Sequence, residues 1–222
     1  VVGYNLVIDG IYGKNTDRAI KTAVSKGTHE LYFDFDKYKE IFKVNRLTQS
    51  FVDNMNTLYD TFNSYNKEGG TNPLFIAYML ATTKHETAHT FLPIRERGSY
   101  RYLSKYDTGR LARILGNTPQ ADGDGQFYAG RGYVQITGKA NYQKFTDILG
   151  IDLITKPVLA LEAPVAAKIL VIGSLRGLFT GKGLDDYIRA GRYREYINAR
   201  RVINGTDEAR RIANYALKFL EG

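Results

Sequence analysis

Cysteine is absent from the 222 residues, so the chain has no disulfide and no thiolate site. That absence fits synthesis in a reducing cytosol. Long apolar runs are also missing: none reaches the roughly 18 residues that cross a bilayer, so no membrane span is expected. The opening Val1-Val2-Gly3-Tyr4-Asn5 lacks the basic region and small-residue cleavage site of a signal peptide, and there is no initiator Met. The chain therefore reads as a processed piece of something longer. Acidic residues are in deficit, 23 against 31 Lys+Arg, for a net charge of +8. Such a balance favours an anionic partner, whether nucleic acid, a lipid surface or a bacterial cell wall. No long basic tail or nucleic-acid motif accompanies it, and the densest pairs, Arg200-Arg201 and Arg210-Arg211, fall in a helical pattern. No nucleic-acid partner is expected.

What is present is an ordinary globular composition, 43% apolar and 24% charged, enough for one well-packed domain with a small appendage. Residues 1–35 differ in texture from residues 36–222. A helix is predicted from Thr48 to about Tyr65, with Phe51, Met55, Leu58, Tyr59 and Phe62 at helical spacing. The last third is helical too: a core helix over Glu162–Ile172, a helix closed by the turn at Asn204-Gly205, and an amphipathic helix over Asp207–Leu220. In the last, Ile212, Tyr215, Ala216 and Phe219 face inward. Asp122-Gly123-Asp124-Gly125 resembles a calcium loop but lacks the closing Glu, so a turn is expected.

The chain is organised around Asn72 to His89. Asn72 suits an N-cap, and Pro73 the first helical position. From Leu74 to Ala81 nearly every residue is apolar, so the helix runs through the core. It ends in His85-Glu86-Thr87-Ala88-His89. Carboxylates are rarely buried without a task, and a desolvated carboxyl can hold a proton near neutral pH. Three readings are open. His85-Glu86-x-x-His89 matches a zinc-peptidase helix, with two imidazoles on one face and a general base between them. Alternatively, Glu86 is a general acid paired with Glu96, which follows Pro93 and can turn back across a cleft; glycosidases use such pairs. The third reading makes Glu86 a salt-bridged helix-end acid near Lys84 and Arg95.

Gly130-Arg131-Gly132 opens onto Tyr133-Val134-Gln135-Ile136-Thr137, whose alternation predicts a strand with Gln135 and Thr137 on one face. Asn141 and Tyr142 follow the turn at Gly138. Gln, Thr and Asn side chains near two carboxylates suit acetamido and hydroxyl groups. Tyr100, Tyr102 and Tyr106 are candidates for stacking on sugar faces. By position alone, Arg211 is expected to reach solvent.

Taken together, these stretches resemble the family-19 glycoside hydrolases, in the class I chitinase-like branch found as phage and bacterial endolysins. The resemblance rests on His85-Glu86-Thr87, Arg95-Glu96, Gly130 to Thr137 with Asn141-Tyr142, Ile203-Asn204-Gly205 and Arg211-Ile212, over roughly residues 38–222. It implies a mainly α, lysozyme-like α+β fold with a small β element flanking a substrate cleft. Glu86 then matches the general acid, Glu96 the general base, and Thr137 the residue that helps place the attacking water. His85, Tyr128, Arg131, Gln135, Asn141, Tyr142, Asn204 and Arg211 match substrate-binding or charge-network positions, and no metal or cofactor is implied. The chain departs from the family in lacking cysteines, in Ala140 in place of a cleft tyrosine and in a shorter stretch between the carboxylates, and the shorter loop suits a bulkier, cross-linked glycan. Leu6 to Ile20, around Asp9-Gly10-Ile11-Tyr12-Gly13, resembles half of a small peptidoglycan-binding repeat.

The expectation is a peptidoglycan glycosidase cutting GlcNAc–MurNAc β-1,4 bonds with inversion. It would be made in the host cytoplasm and act on the cell wall in the periplasm, or travel in a phage particle, as a monomer or part of a larger virion protein. The competing readings are a chitinase, a zinc metallopeptidase and a non-catalytic cell-wall-binding virion protein. The zinc reading lacks a third ligand nearby, since the remaining histidine is His29. His89 has a simpler expected role as a cation at the helix C-terminus.

Overall fold

A computed structural model describes residues 31–67 and 70–221. The half-repeat expected between Leu6 and Ile20 lies outside the described residues. In chain order the described elements are α1 (Phe35–Phe42), α2 (Gln49–Lys67), α3 (Pro73–Glu86), β1 (Ile94–Arg95), α4 (Tyr100–Leu103), α5 (Gly109–Leu115), α6 (Asp124–Phe127), β2 (Arg131–Gly132), α7 (Lys139–Leu149), α8 (Ala163–Leu175), α9 (Tyr193–Ala199) and α10 (Ala209–Glu221). Single turns of 3₁₀ helix at Ser104–Tyr106, Pro157–Leu161, Leu184–Asp186 and Arg200–Val202 connect them. The protein is mainly helical with a small two-stranded sheet. Its residues group into two compact units, one running to Phe91 and resuming at Leu170, the other Leu92–Ile169.

The first unit is built on α3. Its N-terminus is fixed as its sequence predicts: Asn72 accepts a hydrogen bond from the Phe75 N–H at 3.0 Å, and Pro73 occupies the first turn. Ile76 to Lys84 are buried without a break, so α3 is a central helix rather than an amphipathic one. Helix α10 packs on both α3 and α9. Its Ile212 and Ala216 are fully buried, while Tyr215 and Phe219 sit half-buried at its edge. Two tyrosines tie α3 to α9. Tyr78 donates to the Ala199 carbonyl at 2.9 Å and Tyr196 to the Leu74 carbonyl at 3.1 Å, with their rings stacked. Fully burying side chains such as Met55, Leu58, Phe62, Met79 and Leu80 contributes roughly 1.5–3 kcal/mol each.

An aromatic cluster of Phe33, Tyr38, Phe42, Phe51, Phe91 and Phe219 fills the side of this unit. Lys84 enters it. Its ammonium lies over the rings of Phe42 at 4.4 Å, Tyr38 at 5.2 Å and Tyr215 at 5.6 Å, and donates to the Tyr38 hydroxyl at 2.9 Å. Burial, and to a lesser degree Lys218, lowers the Lys84 pKa to about 8.

The second unit corrects one expectation. Tyr133 to Gln135 form a turn, not a strand. The strand is Arg131–Gly132, paired antiparallel with Ile94–Arg95, and an Arg131–Ile136 bridge closes the loop. Gln135 has φ 53°, a left-handed conformation that no strand accommodates. The stretch is therefore a tight loop whose apolar members, Tyr133, Val134 and Ile136, are all buried. The Asp-Gly-Asp-Gly stretch bends at Asp122-Gly123 and runs into α6 at Asp124. It is held by buried Asp107, which accepts from the Gly123 and Gly125 N–H groups at 3.0–3.1 Å.

Candidate active site

In the first unit, Glu86 is the last residue of α3 because the chain leaves the helix in a Schellman turn. The His89 N–H bonds back to the Lys84 carbonyl at 2.8 Å and the Ala88 N–H to the His85 carbonyl at 3.1 Å. Ala88 and His89 carry φ values of 49° and 70°. The turn takes His89 off the helical face of His85, so the one-turn spacing that a zinc-peptidase helix needs is lost. The expected cationic role of His89 also needs correction. Partial burial, followed by the charges of Lys84, His85 and Arg211, pushes its pKa down and favours the neutral ring.

The partner of Glu86 is Arg200. Nη1 stands 2.8 Å from Glu86 Oε1, with the Arg200 side chain 2% exposed and that of Glu86 19% exposed. The contact is an ion pair by distance, without hydrogen-bond alignment. Arg200 is positioned by its neighbours: Tyr78 holds the Ala199 carbonyl, and Arg200 Nε donates to the Asp207 carbonyl at 2.9 Å. This residue does not stand out in the sequence, where it is half of the Arg200-Arg201 pair in a helical pattern. A signal existed: Arg200 follows Tyr196 by one helical turn and stands between Ala199 and Val202, all three fully buried. Arg211 is exposed and pairs with Glu208 at 3.0 Å. Asn204 is exposed with its N–H on the Arg200 carbonyl, and His85 is half-buried beside Glu86. Of the two cations first set beside Glu86, Lys84 is in the aromatic cluster and Arg95 donates to the Gln126 carbonyl at 3.0 Å.

In the second unit, Glu96 follows β1 and is held at four points. Its N–H donates to the Gly130 carbonyl at 2.7 Å, and Oε2 accepts from the Gly130 N–H at 3.3 Å. Oε1 accepts from the Tyr106 hydroxyl at 3.0 Å and has the Lys105 ammonium 3.8 Å away. Burial, with the charge of Glu96 adding, raises the Tyr106 pKa, so this phenol stays a donor. Burial works to lower that of Lys105, but the hydroxyls of Tyr102 and Tyr106 outweigh it and the net shift is upward. The Glu96 side chain remains 20% exposed. Gly130 is the hub: a Cβ there would lie 3.0 Å from Gln135 Oε1, 3.2 Å from Thr137 Oγ1 and 3.3 Å from Glu96 Cβ. Thr137 and Glu96 thus flank one residue that has no side chain.

The other candidates in this unit are committed to framework. The Gln135 amide donates to the Ile94 and Gly132 carbonyls, both at 2.8 Å. Asn141 donates to the Thr137 carbonyl at 2.8 Å. Buried Arg131 donates through Nη1 to the Phe127 and Ala129 carbonyls and to the Tyr142 hydroxyl, which itself donates to the Ala129 carbonyl. Tyr142 is fully buried and its phenol is raised by that burial to about 12, with Arg131 opposing. Tyr128, also buried, donates to the Ile154 carbonyl at 3.2 Å. These side chains hold the β2 loop and α7 in shape around Gly130.

No protein-family model matches the chain. A curated Haemophilus influenzae protein described as a glycosyl hydrolase family 19 domain-containing protein is 33% identical over 110 residues. The match takes in 39% of this chain and 54% of that protein, so the chain spans about half the length of this relative. Among solved structures, a mutant of chitinase C shares the fold with a TM-score of 0.55 at 20% identity, over 85% of this chain and 90% of that one. Sequence likeness and shared fold together support a family-19 glycoside hydrolase.

Proposed function

We propose that this family-19 glycoside hydrolase cleaves the β-1,4 bonds of the GlcNAc–MurNAc glycan of peptidoglycan by inverting acid/base catalysis. The observation that carries the reading is that each of the two candidate carboxylates is partly exposed yet immobilised by dedicated partners, Glu86 by Arg200 and Glu96 by Tyr106 and Gly130. Carboxyl groups held in this way but still reachable by solvent suit proton transfer to a bound saccharide.

In the proposed reaction Glu86 protonates the leaving glycosidic oxygen, with Arg200 holding Oε1 and the proton assigned to Oε2. Glu96 takes a proton from a water that attacks the anomeric carbon from the opposite face, while the C–O bond breaks. Thr137, beside Glu96 across Gly130, orients that water. The product sugar leaves with inverted configuration, and both carboxyl groups recover their starting states by exchange with solvent. The net charge of +8 favours adsorption to an anionic wall. We assign the chain a lysis-type role at the bacterial cell wall after synthesis in the host cytoplasm.

Treating purified sacculi with the wild-type chain, then reducing the products and reading their masses, tests this. Reducing termini on the glycan are expected, lost in Glu86→Gln, whereas cleavage of peptide bonds alone would overturn the reading. Chitin is the second reading, favoured by the fold shared with chitinase C. Faster turnover of chitooligosaccharide than of sacculus glycan would select it.

A further inference from the structure

We propose that Lys105 and Tyr106 are positioning residues that aim the Glu96 carboxylate, a device built from the ten residues that follow Glu96 in the chain. This rests on Glu96 acting as the base of the proposed reaction.

The device can be followed atom by atom. The Tyr102 ring lies against Gly98, so closely that a Cβ at Gly98 would overlap it. The Lys105 ammonium is 3.5 Å from the centre of the Tyr102 ring and 4.5 Å from that of Tyr106, a cation between two aromatic faces. From there it stands 3.8 Å from Glu96 Oε1, the same oxygen that accepts from the Tyr106 hydroxyl at 3.0 Å. Oε2 meets the Gly130 N–H. Both carboxylate oxygens are thus directed, one by backbone and the other by the Lys105-Tyr106 pair.

Magnitudes rank the two side chains. A part-exposed lysine at 3.8 Å gains little from Coulomb attraction in screened water. What distinguishes Lys105 is that two rings fix its position, so the charge stays put instead of sampling solvent. The Tyr106 bond is shorter and reaches a charged acceptor, the stronger class of hydrogen bond. Tyr106 is therefore the larger contributor and Lys105 the smaller. Neither touches reacting atoms; both act through Glu96.

The test measures kcat and KM separately, on whichever of chitohexaose or soluble peptidoglycan strands the wild-type chain cleaves. Tyr106→Phe is expected to lower kcat about tenfold with KM unchanged, the pattern of a lost transition-state interaction. Lys105→Met is expected to lower kcat about threefold, Lys105→Arg to restore most of it, and Tyr102→Ala to reproduce the Lys105→Met loss. In an Glu96→Gln background, Tyr106→Phe is expected to have no further effect, because its target is gone. Full turnover in Glu96→Gln alone brings down the base assignment and this inference with it. An inactive Glu96→Gln beside unchanged Tyr106→Phe and Lys105→Met overturns this inference alone. So does a loss confined to KM, or an equal loss in Lys105→Arg and Lys105→Met.

Discussion

Arg200 Nη1 and Glu86 Oε1 are 2.8 Å apart, and the arginine is almost entirely withdrawn from water. Removing either partner leaves the other poorly compensated, but the two are unequally buried, so the consequences differ. Arg200→Met is expected to lower turnover and to cost about 1–3 kcal/mol, below the range for fully buried pairs because Glu86 is part-exposed. Glu86→Gln is expected to lower turnover by about 10²–10⁴-fold with a smaller loss of stability. Chemical denaturation of both variants and of the double variant gives the coupling. A double variant no more stable than the sum of the singles would show the pair to be energetically idle.

The caged lysine sets a pH dependence. Lys84 has a folded pKa of about 8, below the ordinary lysine value of about 10.5, so the unfolded chain binds more protons between those limits. Stability contributed by this group therefore rises as pH climbs from about 8 toward 10.5. Tyr38 and Tyr59 oppose it above pH 10, since burial raises both phenols and the unfolded chain ionises first. Urea titrations are expected to show a rise of about 2 kcal/mol between pH 7.5 and 9.5, absent in Lys84→Met. A flat profile in the wild-type chain would mean the ammonium is not held among the rings.

Gly130 is predicted to tolerate no side chain without loss of activity. A methyl group would press on Thr137, Gln135 and Glu96 together at 3.0–3.3 Å. Gly130→Ala is expected to reduce kcat about tenfold or more by misplacing these groups, with a melting point only slightly lower. Wild-type kcat in this variant would show that Thr137 and Glu96 need no close approach.

The Schellman turn after Glu86 removes His89 from the face that carries His85. His89→Ala is accordingly expected to keep turnover within about twofold, and a chelator to leave it unchanged. Loss of activity on chelation, restored by zinc, would return the metallopeptidase reading.

How far the sequence could be read varied with the range of the signal. Local chemistry was legible: Asn72 caps α3, Pro73 fills its first turn, and the apolar run from Leu74 to Ala81 is buried except for half-buried Phe75. The mainly helical fold and the likeness to family-19 glycoside hydrolases were legible in the His85-Glu86-Thr87 and Gly130 to Thr137 blocks. The loop at Tyr133 to Gln135 was misread because a left-handed residue mid-stretch leaves the alternation of side chains intact while turning the backbone. Arg200 was missed because its burial depends on a contact between distant segments. Charge composition says nothing of which arginine is dry. Tyr142, Arg131 and Tyr128 are framework in the structure for the same kind of reason: their hydroxyls and guanidinium meet carbonyls whose positions only the folded loop defines.

The hydrogen bond from Tyr78 to the Ala199 carbonyl closes a loop of 121 residues. Contacts of that range form late, because their closure entropy must be met before they add stability. Until then Glu86 has no counter-ion, however complete the helix that bears it. A chain interrupted between residues 97 and 199 would carry both acids and still lack the cation that steadies the first. The acid's counter-ion is thus supplied only once synthesis has passed residue 200.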